Sequence, residues 1–226
     1  MLEISHVSKR FRRGAEVFDA LTDINFVVHK GDFIAISGPS GSGKSTLLNV
    51  IGGLIRPDTG SVVYGGKSIY EQDGRFLNAY RRREVGFVFQ QFHLVPFLTV
   101  AENIRLGCAQ RSDVEAIGRL LGECSLEKVK EKYPSELSVG EKQRAAFIRA
   151  IISAPAILLA DEPTGNLDPR NSDILMDLIA EFHRNGGTVL LVSHAPVASR
   201  HATRKLQLDL GRILTPAGDP GCPALH

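Results

Sequence analysis

Nine consecutive residues, Gly38-Pro39-Ser40-Gly41-Ser42-Gly43-Lys44-Ser45-Thr46, constrain this chain more than any other feature. They follow a short apolar run, Phe33 to Ser37 (FIAIS), which is bounded by Gly31 and Gly38 and reads as a strand buried on both faces. They lead into a helical stretch expected from Lys44 to about Leu54. Strand, G-x-x-x-x-G-K-[ST] and helix in that order form a phosphate cradle: glycines let successive backbone N–H groups turn inward, and the helix dipole adds about half a positive charge. On this reading Lys44 reaches the β- and γ-phosphates of a nucleotide and the Ser45 hydroxyl ligates Mg2+. A mere Gly/Ser-rich turn would leave the lysine, the hydroxyl and both flanking elements unexplained.

A second apolar run, Ala156 to Ala160 (AILLA), delivers two carboxylates, Asp161 and Glu162, before Pro163 stops it. In open parallel sheets ligands bind outside the carboxyl ends of the strands. Asp161 is therefore placed to hold Mg2+, and Glu162 to act as the base or water-orienting group for attack on the γ-phosphate. Taken alone, the pair would read as a solvated strand end. A third run, Thr188 to Ser193 (TVLLVS), ends at His194, and Asp173 to His183 between the two runs has the i, i+3, i+4 spacing of an amphipathic helix. Strand, helix, strand with apolar strands predicts a parallel sheet covered on both faces. Upstream, Ile24, Phe26 and Val28 alternate as in a half-buried strand, Pro57 to Gly60 is a turn, and SVVYGG reads as another strand. Residues 92–152 read mainly as helix, interrupted at Tyr133-Pro134-Ser135, and the Pro/Gly-rich tail from Thr215 reads as loose.

Leu137-Ser138-Val139-Gly140-Glu141 opens another helix. Ser138 and Glu141 have capping-box spacing, so a well-capped helix explains most of it. Gly140 is less easily explained, because glycine in a first helical turn costs stability relative to alanine. Close approach of a phosphate to the backbone would account for it, and the residues alone leave both readings open. A lone His194 or the Gln90-Gln91 pair after VGFVF would ordinarily be structural or solvated.

The bulk numbers set limits. A chain of 226 residues fits one domain. Its formal net charge of +2 gives no ground for a nucleic-acid partner. The three cysteines, Cys108, Cys124 and Cys222, have no metal-ligand or C-x-x-C spacing and suit a reducing compartment. The N-terminus is polar from its third residue and reads as lacking a signal-peptide core. The most apolar stretch, 150–160, is broken by Ser153 and Pro155, well short of the roughly 20 residues of a bilayer span.

Together these segments resemble the nucleotide-binding domains of ATP-binding-cassette (ABC) transporters, in the family's order and over about residues 2 to 214. GPSGSGKST resembles the Walker A loop, FQQFHLVPFLT the Q-loop with Gln90, LSVGE the signature, ILLADEPT Walker B with its catalytic glutamate, Gly165-Asn166-Leu167-Asp168 the D-loop, and VSHA the switch loop with His194. Phe11, in the stretch KRF, falls near the family's adenine-stacking aromatic. FQQFHLVPFLT and DEPTGNLDP look closest to the LolD/MacB/FtsE-like subgroup.

The resemblance implies an α/β P-loop NTPase: a RecA-like parallel core, an N-terminal antiparallel β subdomain and a helical subdomain inserted at about 92–152, in one domain over 1–214. It implies ATP and Mg2+ as cofactors, with Ser45, Gln90 and Asp161 toward the metal and Glu162 and His194 as catalytic residues. Ser138 and Gly140 of one subunit would close on the Walker A loop of a second copy in a head-to-tail dimer, and Asp168 of the D-loop would join them, Phe11, Gln90 and the loop residues in binding the nucleotide. A separately encoded integral membrane permease would hold the cytoplasmic subunit at the inner face of the membrane, and Gln90 would relay closure to it through Phe92 to Leu98. Two residues depart from the usual LSGGQ: Val139 adds a β-branched side chain near the incoming phosphate, and Glu141 adds negative charge. The competing expectations are a soluble ABC protein acting on ribosomes or DNA, disfavoured by the single cassette without a heptad insert, and a scaffold-type, cell-division-like ATPase that moves no substrate.

Overall fold

The computed structural model describes residues 1–14, 16–193 and 201–214. The chain opens with two long strands, β1 (Leu2–Arg13) and β2 (Glu16–Val28), followed by β3 (Phe33–Ser37) and helix α1 (Lys44–Ile51). Next come β4 (Thr59–Tyr64), β5 (Lys67–Ser68), α2 (Gly74–Ala79) with a π-helical turn over Tyr80–Glu84, and β6 (Val85–Phe89). Helices α3 (Val100–Arg105) and α4 (Arg111–Glu123) follow, and two 3-10 turns, Glu127–Val129 and Pro134–Glu136, lead into α5 (Val139–Ile151). The order then closes with β7 (Ile157–Asp161), α6 (Pro169–Arg184), β8 (Thr188–Val192), β9 (Arg204–Asp209) and β10 (Arg212–Leu214).

Two sheets result. One is antiparallel, in the order β2-β1-β4-β5; the other has the order β10-β9-β3-β8-β7-β6, with every neighbouring pair parallel except β9 and β10. The parallel strands alternate their side chains between two cores. Ile34, Ile36, Leu159, Leu190 and Val192 meet α1 and the antiparallel sheet, whereas Phe33, Leu158, Ala160, Val189 and Leu191 meet α3 to α6. Burial on both faces is why these strands read as continuous apolar runs rather than as alternating ones.

The register sets up the functional edge. Ile36 pairs with Val192, Val192 with Asp161, and Asp161 with Phe89. Four strands therefore end level, and the segments starting at Gly38, Glu162, Gln90 and Ser193 all leave the same edge.

Several expected boundaries shift for local reasons. Helix α1 ends at Ile51, short of Leu54, because Gly52 caps it and Gly53 turns to φ +74°. Helix α6 starts four residues before Asp173, since Asp168 accepts from the Asn171 N–H and Pro169 occupies the first turn. Residues 92–99, expected to be mostly helical, form a non-helical connection instead. There the buried Asn103 carboxamide accepts from Val95 N and donates to the carbonyls of Val95, Leu98 and Thr99. Cys108 and Cys124 are free thiols. Cys222, His194 and the tail from Thr215 lie outside the described residues.

Candidate nucleotide site

The cradle between β3 and α1 requires glycine at two of its positions. A Cβ on Gly38 would lie 2.0 Å from the Leu208 carbonyl oxygen, and one on Gly43 would lie 2.2 Å from that of Ala20, at φ +147° and +100°. Backbone from β9 and β2 thus braces the loop from outside while its concave side keeps the N–H groups. Gly41, at φ +79°, meets nothing within 4 Å. The start of α1 carries no side-chain cap, whereas α2, α3, α5 and α6 begin on Asp73, Thr99, Ser138 and Asp168, each accepting a backbone N–H. Uncapped N–H groups and the helix dipole together suit an anion. Within the loop the Ser42 hydroxyl is buried without a partner, and Pro39, Ser40 and Thr46 complete the turn into the helix.

Lys44 is buried, and its Nζ donates to the carbonyls of Gly38 and Pro39, both at 2.8 Å. Those bonds fold the ammonium back over the loop, toward the concave side where phosphates would sit. Burial pushes the Asp161 carboxyl above the usual range, while the neighbouring Ser45 hydroxyl and Lys44 act in the opposite sense. A hydroxyl and a carboxylate in contact form a hard-oxygen pair that fits Mg2+. A small hard cation commonly takes one or two protein oxygens and fills its remaining positions with phosphate and water. Among the described residues no group of three His, Cys, Asp or Glu side chains could hold a metal without such help.

Glu162 leaves the sheet at φ +46°, in the left-handed region, while its N–H still donates to the Val192 carbonyl at 2.9 Å. A non-glycine residue there costs about 1–3 kcal/mol and must be held by its surroundings. Pro163 follows, and Gly165 N returns to the Glu162 carbonyl at 3.1 Å. Gln90 flanks this turn: a Cβ on Gly165 would lie 3.0 Å from Gln90 Nε2, and Asn166 Nδ2 donates to the Gln90 carbonyl. Gln90 and Glu162 thus flank one turn at the strand edge where Asp161, beside Ser45, also ends.

Phe11 lies opposite Phe18 on the β1–β2 hairpin, with ring centroids 5.8 Å apart and Lys9 over the Phe11 ring. Phe18 is two residues from Ala20, whose carbonyl abuts Gly43, so the aromatic pair sits beside the cradle on the antiparallel sheet.

The second helix end forms a separate cluster. Ser138 and Glu141 form the full capping box, and the Glu141 carboxylate accepts from both the N–H and the hydroxyl of Ser138, which hold it below the usual range. Its charge is folded back into the cap rather than aimed outward. Val139 is 44% exposed. Gly140 is buried: a Cβ there would meet Asn171 Oδ1 at 2.1 Å. The lack of a side chain is therefore used within the chain, by close packing against α6. Asn171 in turn binds Asp168, drawing its carboxyl below the usual range, so signature and D-loop segments meet.

Three positioning residues escaped sequence reasoning. Gln143, fully buried, donates to the carbonyls of Phe89 and Pro163, tying α5 to the residue before Gln90 and the residue after Glu162. Arg149 donates to the carbonyls of Phe92 and His93. Asn171 is the third. A polar residue on the buried stripe of an amphipathic helix was the one available signal, and only Gln143 carries it clearly.

A glycine-braced phosphate loop, a lysine over it and a carboxylate strand end on a parallel sheet define a P-loop nucleotide-binding protein. The family model described as ABC transporter matches residues 21–165, and the chain belongs to that family. It is 40% identical over 220 residues to the lipoprotein-releasing system ATP-binding protein LolD of Geobacter metallireducens, covering 95% of this chain and 98% of that one. It is 39% identical over 219 residues to the uncharacterized ABC transporter ATP-binding protein YknY of Bacillus subtilis, covering 95% of each. Among solved structures, the ATP-binding cassette MJ0796, described as a dimeric post-hydrolysis state bound to ADP and Pi, matches with a TM-score of 0.87 and 35% identity, over 95% of this chain and 97% of that one. No helix of the described residues is long and apolar enough to cross a membrane.

Proposed function

We propose that this chain is the ATP-hydrolysing subunit of a transport or mechanotransmission complex, closing on ATP with a second copy of itself to drive a separately encoded membrane permease. The contact between Ser45 and Asp161 carries the reading, because it brings the first turn of the phosphate helix and the carboxylate strand end onto one prospective metal. The N–H groups of residues 41–46 receive phosphate oxygens. Lys44 exchanges its two carbonyl acceptors for the outer phosphates, a stronger charge-assisted pairing. Ser45 and Asp161, with Gln90, would hold Mg2+, which supplies neutralisation of charge on the transferred phosphoryl group. Glu162 takes the proton of, or orients, the attacking water. Phe11 stacks on the base, and His194 serves the γ-phosphate.

Ser138, Gly140 and Asp168 face the second copy, and Gln90 passes closure to residues 92–98, where Phe97 is 76% exposed. That exposed ring suits a permease contact, which would place the subunit peripherally on the inner face of the membrane. The LolD relative, named for lipoprotein release, supports a partner of the same broad kind. The test is Glu162→Gln. It is expected to bind Mg-ATP and dimerise while steady-state hydrolysis falls about 10²-fold or more. Unimpaired turnover would contradict the role given to Glu162.

A further inference from the structure

We infer that Asn171 is a positioning residue that locks the signature helix to the D-loop within one subunit, and that Gly140 is glycine because of this lock. The inference deepens the reading above and rests on Ser138 to Gly140 and Asp168 facing the second copy. The Asn171 carboxamide is used on every side. Its Oδ1 accepts from Arg144 Nη1 at 2.9 Å, and its Nδ2 donates to Asp168 Oδ2 at 2.5 Å. Its backbone N–H donates to Asp168 Oδ1 at 3.1 Å. The flat face lies on Gly140, where a Cβ would sit 2.1 Å from Oδ1, 2.5 Å from Cγ and 3.0 Å from Nδ2. Arg144 also donates through Nε to the Cys124 carbonyl, which fixes the guanidinium and so the direction from which it reaches Asn171.

Three contact segments thus converge on one side chain: the first turn of α5 through Gly140, its second turn through Arg144, and the start of α6 through Asp168. Both helix starts then move as one body. Tilting α5 away from α6 would break the Arg144 bond and lift Gly140 off the carboxamide that binds Asp168. A phosphate approaching Gly140 from the second copy would meet a backbone whose inner side is already closed by Asn171. The glycine then serves internal packing, whatever it also does for the ligand.

A double substitution separates the two explanations. Gly140→Ala is expected to lower ATP turnover about tenfold or more, since its methyl overlaps Asn171. Asn171→Ala should lower kcat with KM for ATP and the melting temperature close to wild type, because the backbone cap of Asp168 survives; a purely structural role would lower the melting temperature instead. In Gly140→Ala/Asn171→Ala the methyl has room, and turnover should return to the level of Asn171→Ala. A double variant that melts like wild type yet stays as inactive as Gly140→Ala would overturn the inference, as would one that fails to fold. Should Gly140→Ala itself not fold, a folded and active double variant still supports the lock. ATP binding by wild type and by Asn171→Ala is measured alongside; if wild type neither binds nor hydrolyses ATP, the functional reading fails rather than this one.

Discussion

The Ser45 hydroxyl lies beside the Asp161 carboxylate, setting the first turn of α1 against the end of β7. Neighbouring strands in register bring them together, and the strand ends that follow place Gln90 and Glu162 at the same edge. Much of the proposed chemistry depends on that alignment.

Burial raises the Asp161 pKa. A carboxyl whose folded pKa lies above its unfolded value contributes stability below the unfolded value and loses it as pH rises through the folded one. At neutral pH the ionised group therefore costs stability unless a cation compensates. Asp161→Asn is expected to melt at or above the wild-type temperature without nucleotide at about pH 7, while losing Mg2+-dependent hydrolysis. Calorimetry with and without Mg-ATP checks both halves. A clear drop in the nucleotide-free melting temperature would count against the assignment.

Glycine substitutions should separate by geometry. Gly43→Ala places a methyl 2.2 Å from the Ala20 carbonyl at φ +100°. It is expected to cost more than about 2 kcal/mol and to abolish tight ATP binding. Gly118→Ala, in the interior of α4 with nothing within 4 Å, should instead add about 0.5–1 kcal/mol. Urea titrations of the two variants give the comparison directly.

Gln143→Leu removes both donors and leaves the Phe89 and Pro163 carbonyls unpaired inside the protein. The expected loss is about 1–3 kcal/mol of stability. Turnover should fall beyond what the lost stability explains, because those carbonyls border Gln90 and Glu162. An unchanged rate per folded molecule would show that α5 does not position the two residues.

The glycine cradle, the carboxylate strand end and the parallel core were legible because each is local: a few adjacent residues state the backbone they need. β9 and β10 were not expected, since RKLQLD and RIL are short and polar enough to pass for loop. Residues 92–99 misled because Asn103, from α3, replaces the helical hydrogen bonds of that segment with its own. The contact of Gly140 with Asn171 was invisible for a different reason. Thirty-one positions separate the two residues, and only the packing of α5 on α6 reveals what the glycine accommodates.

Lys44→Ala keeps the signature end intact but disables its own cradle, whereas Ser138→Arg keeps its cradle and disables the signature end. Neither homodimer should hydrolyse ATP. The most direct measurement mixes the two: in a head-to-tail pair each mixed dimer holds one complete site, so activity should return to as much as about a quarter of wild type. A mixture as inactive as its components, with mixed dimers demonstrably formed, would contradict a site shared between two copies.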